Sequence, residues 1–400
     1  MSALDAPFSN AFREGPVSAK REKGEDMEEQ AEFLTAVYEV DGPEMQAGAL
    51  AERIALDQTI EADADLLAPA LHARILGRLE HLEPLAGGRY AATISYPADL
   101  VGSDCSALLN LVFGTSSLRS DVRLLSLTLT KGLLSQWRGP SHGMNGLRQA
   151  VGVSDRPLLC GVLKPLGRSA VELAELAGQF VRGGVDLIKD DQGLLDQPFC
   201  PFNERVAYCA EAIATESAQR GRACLYFAHV SGALDSMRGR AAHAKTLGAT
   251  GLLVAPGLTG FDALRALAVD ATLTLPIASH PSLLGTKVVQ QAGGLAPAVV
   301  YGLLPRLAGA DLSIYPTFDA GYLMSKDDCV SVAISCRQPW GHLLPTMPSV
   351  GGRIGQDRIP ETMTVLGRDI VLILGSRIQQ DPRGVVAAVA EFERVVRQSF

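Results

Sequence analysis

The sequence predicts an α/β protein in which a small N-terminal α+β domain is followed by a C-terminal (β/α)8 TIM barrel. The second part of the chain carries eight short apolar segments of strand length, separated by helix-length segments, over about 240 residues. The first part mixes strand-like and helical patterns without that regular alternation. No glycine-rich dinucleotide fingerprint follows a predicted strand, which favours the barrel over a doubly wound open sheet.

Composition and charge exclude several classes of function. The 400 residues are 47% hydrophobic and 20% charged, which suffices for a substantial core and two domains. The net charge of -8 argues against a nucleic-acid partner, because phosphate binding needs a basic face. No apolar run has the length of a membrane span, and no secretory signal opens the chain. Seven cysteines without CxxC spacing indicate free thiols in a reducing cytoplasm.

The N-terminal part divides into a polar arm and a mixed domain. Residues 1–30 are polar with clustered charge, which predicts a disordered arm. Residues 31–150 form the expected α+β domain. Its patterns predict strands at 33–40, 90–100 and 122–129, and a helix leading into a strand over 48–62. They also predict an apolar helix that begins near residue 104 and stops at Gly114.

The expected barrel covers residues 151–400. Its eight predicted strands lie at 157–163, 185–189, 224–230, 251–256, 275–280, 310–316, 343–348 and 369–374. Predicted helices fill the intervals, most clearly at 169–184, 205–220 and 237–249.

Polar residues follow these strands at their carboxyl ends, where barrel enzymes carry their active sites. The second strand ends in Lys189, Asp190 and Asp191. One cation and two carboxylates at the end of a buried strand are costly unless they pair with each other or hold a metal ion. A strand-end salt bridge and a metal site are therefore both compatible with this stretch. Four other strands end in single polar residues: Lys164, His229, His280 and Tyr315.

These residue types suit a metal-assisted reaction at a carbonyl. Lys189, Asp191 and a neighbouring oxygen donor can hold a hard cation such as Mg²⁺, which would stabilise an enediolate. Lys164 can act as a base or acid and His280 can move a proton near neutrality. Each also has a structural interpretation, because Lys164 can simply pair with a carboxylate and His280 can be a core histidine.

Glycine-containing turns follow the last two strands. Ser349 precedes Gly351-Gly352 after the seventh strand, and Gly375-Ser376 follows the eighth. Barrels often bind a phosphate between these two loops, because glycine lets backbone N–H groups approach the anion closely. From the residues alone, the sequence predicts enolisation, isomerisation or decarboxylation of a phosphorylated or carboxylated sugar.

Five segments in order resemble the RuBisCO large-subunit superfamily, and within it the RuBisCO-like proteins, or form IV. They are GVLKP at 161–165, GGVDLIKDD at 183–191, the His280 strand, LAGADLSIYP at 307–316 and PSVGG at 348–352. The resemblance implies a ferredoxin-like N-terminal domain, a TIM barrel and a homodimer. In that homodimer, one barrel and the partner's N-terminal domain share the active site.

The resemblance also implies roles for residues of the metal and enolisation sites. Lys189 matches a lysine that becomes a carbamate, and Asp191 matches a metal ligand. Gln192 stands where the family has a glutamate ligand for Mg²⁺. Lys164 matches the lysine that manages the proton during enolisation, and His280 matches the histidine of the fifth strand.

Further positions concern the substrate. Asp57 stands where the family has glutamate and Thr115 where it usually has asparagine. The loops at Gly351-Gly352 and Gly375-Ser376 match those that bind one phosphate, although Arg377 interrupts the second glycine run.

Several positions depart from the pattern of true carboxylases. Leu166 replaces a second lysine, Pro281 replaces a phosphate-binding arginine and Tyr315 replaces a histidine of the sixth strand. In the loop after that strand, Lys326 lies too far along to match the lysine that acts on the added CO₂. These losses concern carboxylation more than enolisation.

The sequence therefore predicts a non-carboxylating RuBisCO-like enzyme that forms a Mg²⁺-stabilised enediolate from a sugar phosphate or an oxo-sugar acid. The changes at Pro281 and Gln192 tilt this expectation slightly toward the sugar acid. A non-catalytic binding or regulatory barrel and a true ribulose-bisphosphate carboxylase are the alternatives.

Overall fold

The computed structural model describes residues 32–62, 68–288, 293–318, 320–352 and 354–399. The predicted N-terminal arm lies outside these residues. The described chain begins with an antiparallel sheet of four strands: β1 (Phe33–Asp41), β2 (Arg78–Leu85), β3 (Arg89–Pro97) and β4 (Val122–Thr128). Alternate residues of β1, from Leu34 to Val40, are fully buried and lie on the face that packs against the helices.

Five helices accompany this sheet and lead to the barrel: α1 (Glu44–Thr59), α2 (Pro69–Ile75), α3 (Cys105–Phe113), α4 (Lys131–Ser135) and α5 (Gly143–Val151). The predicted strand at the end of the 48–62 segment is absent from the described residues there, because α1 continues to Thr59. Strand β2 was missed, since its residues are mostly exposed and show little apolar alternation.

The eight predicted barrel strands are all present, and they close into a parallel barrel in chain order, with the last strand paired to the first. This confirms the predicted fold class. The barrel strands are β5 (Leu158–Leu163), β6 (Leu187–Asp190), β7 (Leu225–His229), β8 (Gly251–Val254), β9 (Ile277–Ser279), β11 (Leu312–Pro316), β12 (Met347–Gly351) and β13 (Val371–Leu374). Alternate residues fill the interior, among them Val162, Phe227 and Ile314, while their neighbours pack against the helices.

The barrel helices cover the outside of these strands. They are α6 (Ala170–Gly183), α7 (Phe202–Arg220), α8 (Leu234–Thr246), α9 (Pro256–Thr259), α10 (Phe261–Ala268), α11 (Leu304–Ala308), α12 (Lys326–Arg337), α13 (Ile359–Leu366), α14 (Ser376–Gln379) and α15 (Val385–Gln398). A π-helical segment, Ala298–Leu303, precedes α11. Helix α6 shows why the ends fall where they do, since Ser169 and Glu172 form a capping box and Gly184 ends the helix with a positive φ of 117°.

A short strand pairing and a side-chain cap are among the contacts that join the N-terminal domain to the barrel. The two-residue strand β10 (Gly294–Leu295), which follows the fifth barrel strand, pairs in parallel with β4. The Asp262 carboxylate of α10 accepts hydrogen bonds from the backbone N–H groups of Cys105 and Ser106, at the start of α3. A barrel side chain therefore caps a helix of the N-terminal domain.

The cysteines agree with the expectation of free thiols. All seven cysteines are buried and free. Within the described residues, no helix combines the length and apolar character that crossing a membrane requires.

Candidate active site

The charged residues at the end of the second barrel strand, Lys189, Asp190 and Asp191, have different surroundings. Asp190 points outward, where its carboxylate accepts hydrogen bonds from Tyr226 Oη at 2.8 Å, Arg205 Nε at 3.2 Å and the backbone N–H of His229 at 2.9 Å. Both Asp190 and Arg205 are fully buried. Asp190 is thus the structural salt bridge, and only Lys189 and Asp191 remain for chemistry.

Lys189 is buried among charged groups of the barrel interior. Its side chain is 4% exposed, and Nζ donates to the backbone oxygen of Asp190 at 2.9 Å. Burial lowers the pKa of Lys189, and the nearby Lys164 lowers it further, although Cys160 and Asp191 oppose the shift. A lowered pKa raises the fraction of neutral amine, which is the form that reacts with CO₂.

Asp191 and Gln192 supply the oxygen atoms next to this lysine. Asp191 is half-buried, and its Oδ1 accepts a hydrogen bond from Gly193 N at 3.0 Å, while Oδ2 has no partner among the described residues. Gln192 is exposed. No group of three or more His, Cys, Asp or Glu residues with metal-binding geometry exists within the described residues. Asp191 and Gln192 offer the oxygen donors that Mg²⁺ prefers, but these two residues are too few to hold the ion without further oxygen ligands.

Lys164 lies across the same opening. It follows β5 and is half-buried, and its Nζ lies 3.6 Å from the position that a Cβ atom on Gly375 would occupy. No described residue forms an ion pair or hydrogen bond with its ammonium group. The alternative that Lys164 simply pairs with a carboxylate is therefore wrong for the described residues.

His280 follows β9 and lies near the lysine and a second histidine. Its Nδ1 accepts a hydrogen bond from Ser282 N at 3.2 Å, which places the ring proton of the neutral form on Nε2. Burial lowers the pKa of His280 well below its usual value, and the positive charge of Lys189 lowers it further. The neutral ring can donate Nε2–H to a substrate oxygen.

Ser349 and the two glycine turns belong to the ends of β12 and β13, which pair next to each other in the barrel. Ser349 is fully buried, and its Oγ has no hydrogen-bond partner, which is costly unless a ligand supplies one. Gly352 has a φ of 110°, and a Cβ atom there would lie 3.0 Å from Ala320 Cβ. Ser376 opens the short helix α14 directly after Gly375. Glycine at these positions lets backbone N–H groups approach an anion closely, which a larger residue would hinder.

Asp57 and Thr115 belong to the N-terminal domain, and their bonds stay within it. Asp57 Oδ1 lies 2.8 Å from Arg53 Nε, and Thr115 Oγ1 donates to Glu61 Oε1 at 3.4 Å. Gln58 holds the two segments together, because its side chain bonds to backbone atoms of Leu111 and Ser116. Within the described residues, no hydrogen bond or ion pair joins Asp57 or Thr115 to the barrel.

The prediction that Tyr315 belongs to the polar residues of the active-site opening is wrong. Tyr315 points into the layer between the strands and helices, where its hydroxyl donates to Cys329 O at 3.4 Å and its ring stacks on Tyr301. Ile314 fills the barrel interior instead. The period of two along a strand decides this, since adjacent residues face opposite sides.

The sequence also left the partner of Asp190 unassigned. Arg205 lies 15 residues further along, at the start of α7, and it also donates to Leu195 O at 2.9 Å in the intervening loop. An arginine in the first turn of the helix that follows this loop is the sequence signal that could have identified the partner of Asp190.

Comparison with known proteins adds independent information. The family model for the ribulose bisphosphate carboxylase large chain, catalytic domain, matches residues 143–399. A 5-methylthioribulose-1-phosphate isomerase from Rhodospirillum rubrum is 32% identical over 366 residues, 89% of this chain and 96% of the relative. A 2,3-diketo-5-methylthiopentyl-1-phosphate enolase from Exiguobacterium sibiricum is 31% identical over 367 residues, 91% of this chain and 92% of the relative. The crystal structure of a Rubisco-like protein from Rhodopseudomonas palustris has a TM-score of 0.83 at 32% identity, covering 91% of this chain and 97% of that one.

Proposed function

Because the chain belongs to the ribulose bisphosphate carboxylase large-chain family, we propose that it enolises a sugar phosphate without fixing CO₂. The observation that carries this proposal is the group formed by Lys164, Lys189 and His280 at one end of the barrel, next to glycine turns suited to a phosphate. The named relatives act on methylthio-sugar phosphates. We place this chain in the same substrate class.

In the proposed reaction, Lys164 takes a proton from the carbon next to the substrate carbonyl. The neutral amine is the form that accepts this proton, and no described residue forms an ion pair or hydrogen bond with its nitrogen. His280 donates Nε2–H to the oxygen that becomes negative as the enediolate forms. A carbamate on Lys189, Asp191 and Gln192 would hold Mg²⁺, which supplies positive charge to the enediolate oxygens.

The phosphate is proposed to bind between the two glycine turns. Backbone N–H groups at Gly351, Gly352 and Gly375 and the hydroxyls of Ser349 and Ser376 provide the donors. Leu166 and Pro281 stand where the carboxylase pattern has a second lysine and a phosphate-binding arginine, so neither position offers a cation to a second phosphate. This favours a substrate with a phosphate at one end and an apolar group at the other.

Two features argue against productive carboxylation. Leu166 occupies the position of the second lysine of true carboxylases, and its side chain lies next to Gly193. Lys326 is the first residue of α12, and its Nζ lies 2.6 Å from Glu361 Oε1 and over the ring of Phe318. No lysine of that loop is therefore available to stabilise a carboxylated intermediate.

The proposed active unit is a homodimer, in which the partner's Asp57 and Thr115 complete the site. Large apolar side chains are exposed around the opening, which favours their burial by a second subunit. They are each between 46% and 75% exposed: Leu166, Phe199, Leu283, Tyr322 and Leu323. Mixing Lys189→Ala chains with Asp57→Ala chains tests this sharing. Random pairing would restore about a quarter of the wild-type sites if the two residues act across the interface, and none if they act within one chain.

Deuterium exchange tests the reaction itself. The protein is incubated in D₂O with Mg²⁺ and bicarbonate, together with 5-methylthioribulose 1-phosphate, 2,3-diketo-5-methylthiopentyl 1-phosphate, an oxo-sugar acid or ribulose bisphosphate. Proton NMR should show exchange next to the carbonyl of a singly phosphorylated sugar, and Lys164→Ala should lower its rate at least about 100-fold. Lys326→Ala is the matched control and should leave the rate unchanged.

The other outcomes separate the alternatives. Loss of CO₂ from the oxo-sugar acid would select a decarboxylase. Exchange that survives in Lys164→Ala would refute the role of this lysine. A folded protein that binds no Mg²⁺ and exchanges no substrate would support the non-catalytic barrel.

A further inference from the structure

The loop that carries Asp191 is a compact turn. The backbone N–H of Leu194 donates to Asp191 O at 3.0 Å, and Gly193 N donates to Asp191 Oδ1 at 3.0 Å. One carboxylate oxygen is therefore held by the turn itself. The direction of the other oxygen depends on the shape of this turn, so whatever holds the turn also orients Asp191.

His229 holds this turn from both sides. Its backbone N–H donates to Asp190 Oδ2 at 2.9 Å, directly before Asp191. Its ring Nδ1 lies 3.2 Å from the backbone oxygen of Leu194, at the end of the turn. One residue on the third barrel strand therefore fixes both ends of the segment that presents Asp191.

The hydrogen bonds around the ring allow one tautomer only. A carbonyl oxygen accepts but cannot donate, so Nδ1 carries the proton toward Leu194. Nε2 accepts from Ser231 Oγ at 2.8 Å, and Ser231 Oγ itself accepts from Ala255 N at 2.9 Å. This chain of bonds connects the turn to the fourth barrel strand.

The ring is also closed to substrate. His229 is fully buried, and both ring nitrogens are occupied within the protein. Burial lowers its pKa to about 4, which keeps the ring neutral in the cell's usual pH range. These features exclude the proton-transfer function that its place at a strand end would otherwise suggest.

We infer that His229 is a positioning residue, which orients the Asp191 carboxylate by holding the carbonyl of Leu194. This inference rests on the proposed function for its consequence, since an oriented Asp191 matters only if it binds a metal ion. The geometric part concerns the turn alone and can be measured without metal or substrate.

Three substitutions distinguish positioning from general packing. His229→Asn places an amide N–H where Nδ1–H lies, so it can keep the bond to Leu194 O but not the bond to Ser231. His229→Gln places its amide near Nε2, so it loses the bond to Leu194 O. His229→Ala loses both. His142→Ala is the matched control, because it removes a histidine–carbonyl bond, to Thr274 O, at the other end of the barrel.

Hydrogen exchange of the backbone amides of Gly193 and Leu194 gives the first measurement. We expect both amides to exchange about five- to tenfold faster in His229→Ala and His229→Gln, and near the wild-type rate in His229→Asn and His142→Ala. Equal exchange in the Asn and Gln variants would overturn the inference, and so would wild-type exchange in His229→Ala.

Magnesium titration in bicarbonate gives the second measurement. His229→Ala and His229→Gln should bind Mg²⁺ about 10- to 100-fold more weakly than the wild type, with affinity restored in His229→Asn. Unchanged affinity in all three variants would overturn the positioning of Asp191. If the wild-type protein itself binds no Mg²⁺, the proposed function fails, whereas the exchange of Gly193 and Leu194 still decides whether His229 holds the turn.

Discussion

Replacing Asp190 with alanine should remove the charge that balances a fully buried arginine. Its carboxylate accepts hydrogen bonds from Arg205 Nε, Tyr226 Oη and the backbone of His229. Without it, Arg205 retains bonds to the Leu195 and Cys200 carbonyls only, and its guanidinium is 0% exposed. The cation would then be buried without a counter-charge.

The expected cost follows from this burial. Removing one partner of a buried ion pair typically destabilises a protein by about 3–5 kcal/mol, because the remaining charge stays desolvated. Most proteins have a free energy of unfolding of about 5–15 kcal/mol, so Asp190→Ala should remove a large part of the total. The exposed pair of Arg119 and Asp121, whose side chains are 40% and 41% exposed, should contribute less than about 1 kcal/mol.

Urea unfolding followed by the fluorescence of Trp137 and Trp340 measures the difference. Asp121→Ala is the exposed control, and Asp186→Ala is a buried one. Asp186 pairs with the fully buried Arg156 at 2.6 Å, but Arg156 also pairs with Glu393 at 3.1 Å, so Asp186→Ala should destabilise the fold less than Asp190→Ala. Asp186 precedes the second barrel strand, at the end remote from the proposed metal site, so folded Asp186→Ala should still bind Mg²⁺. An Asp190→Ala protein no less stable than Asp121→Ala would refute the reasoning.

Three further predictions concern pH, the phosphate site and the contact between domains. Between pH 6.5 and 4, the unfolded chain protonates His229 more readily than the folded protein does, because burial lowers the folded pKa to about 4. Stability should therefore fall by up to about 3 kcal/mol as pH drops through this window, and urea titrations of His229→Asn should lack this part of the loss. Gly352→Ala should raise KM for the phosphorylated substrate about tenfold, because an alanine there would have a positive φ and its Cβ atom would crowd Ala320. Gly221→Ala is the control and should leave KM unchanged, because Gly221 also has a positive φ but has open space around it. Asp262→Ala should lower the free energy of unfolding by about 1–2 kcal/mol and speed amide exchange at the start of α3, whereas unchanged exchange there would contradict the capping role.

The sequence by itself determined the barrel and the end of it that carries chemistry. Its strands are short apolar runs buried on both sides, and such runs are recognisable one at a time, without knowledge of their neighbours. Polar residues directly after such runs lie at the strand ends by necessity. Local patterns alone therefore point to Lys164, Lys189 and His280 as neighbours at one end of the barrel.

Only the tertiary structure decided which face each residue presents and what it contacts. Asp190 and Asp191 are adjacent and chemically identical, yet one pairs with Arg205 and the other faces the opening. The direction of a side chain depends on how the strands close into a barrel, and a shift of one residue reverses it, which is why Tyr315 was misplaced. Contacts between distant segments, such as Asp262 with the start of α3 and the His229 ring with Leu194, leave no periodic signal in the sequence, because they depend on the packing of whole elements.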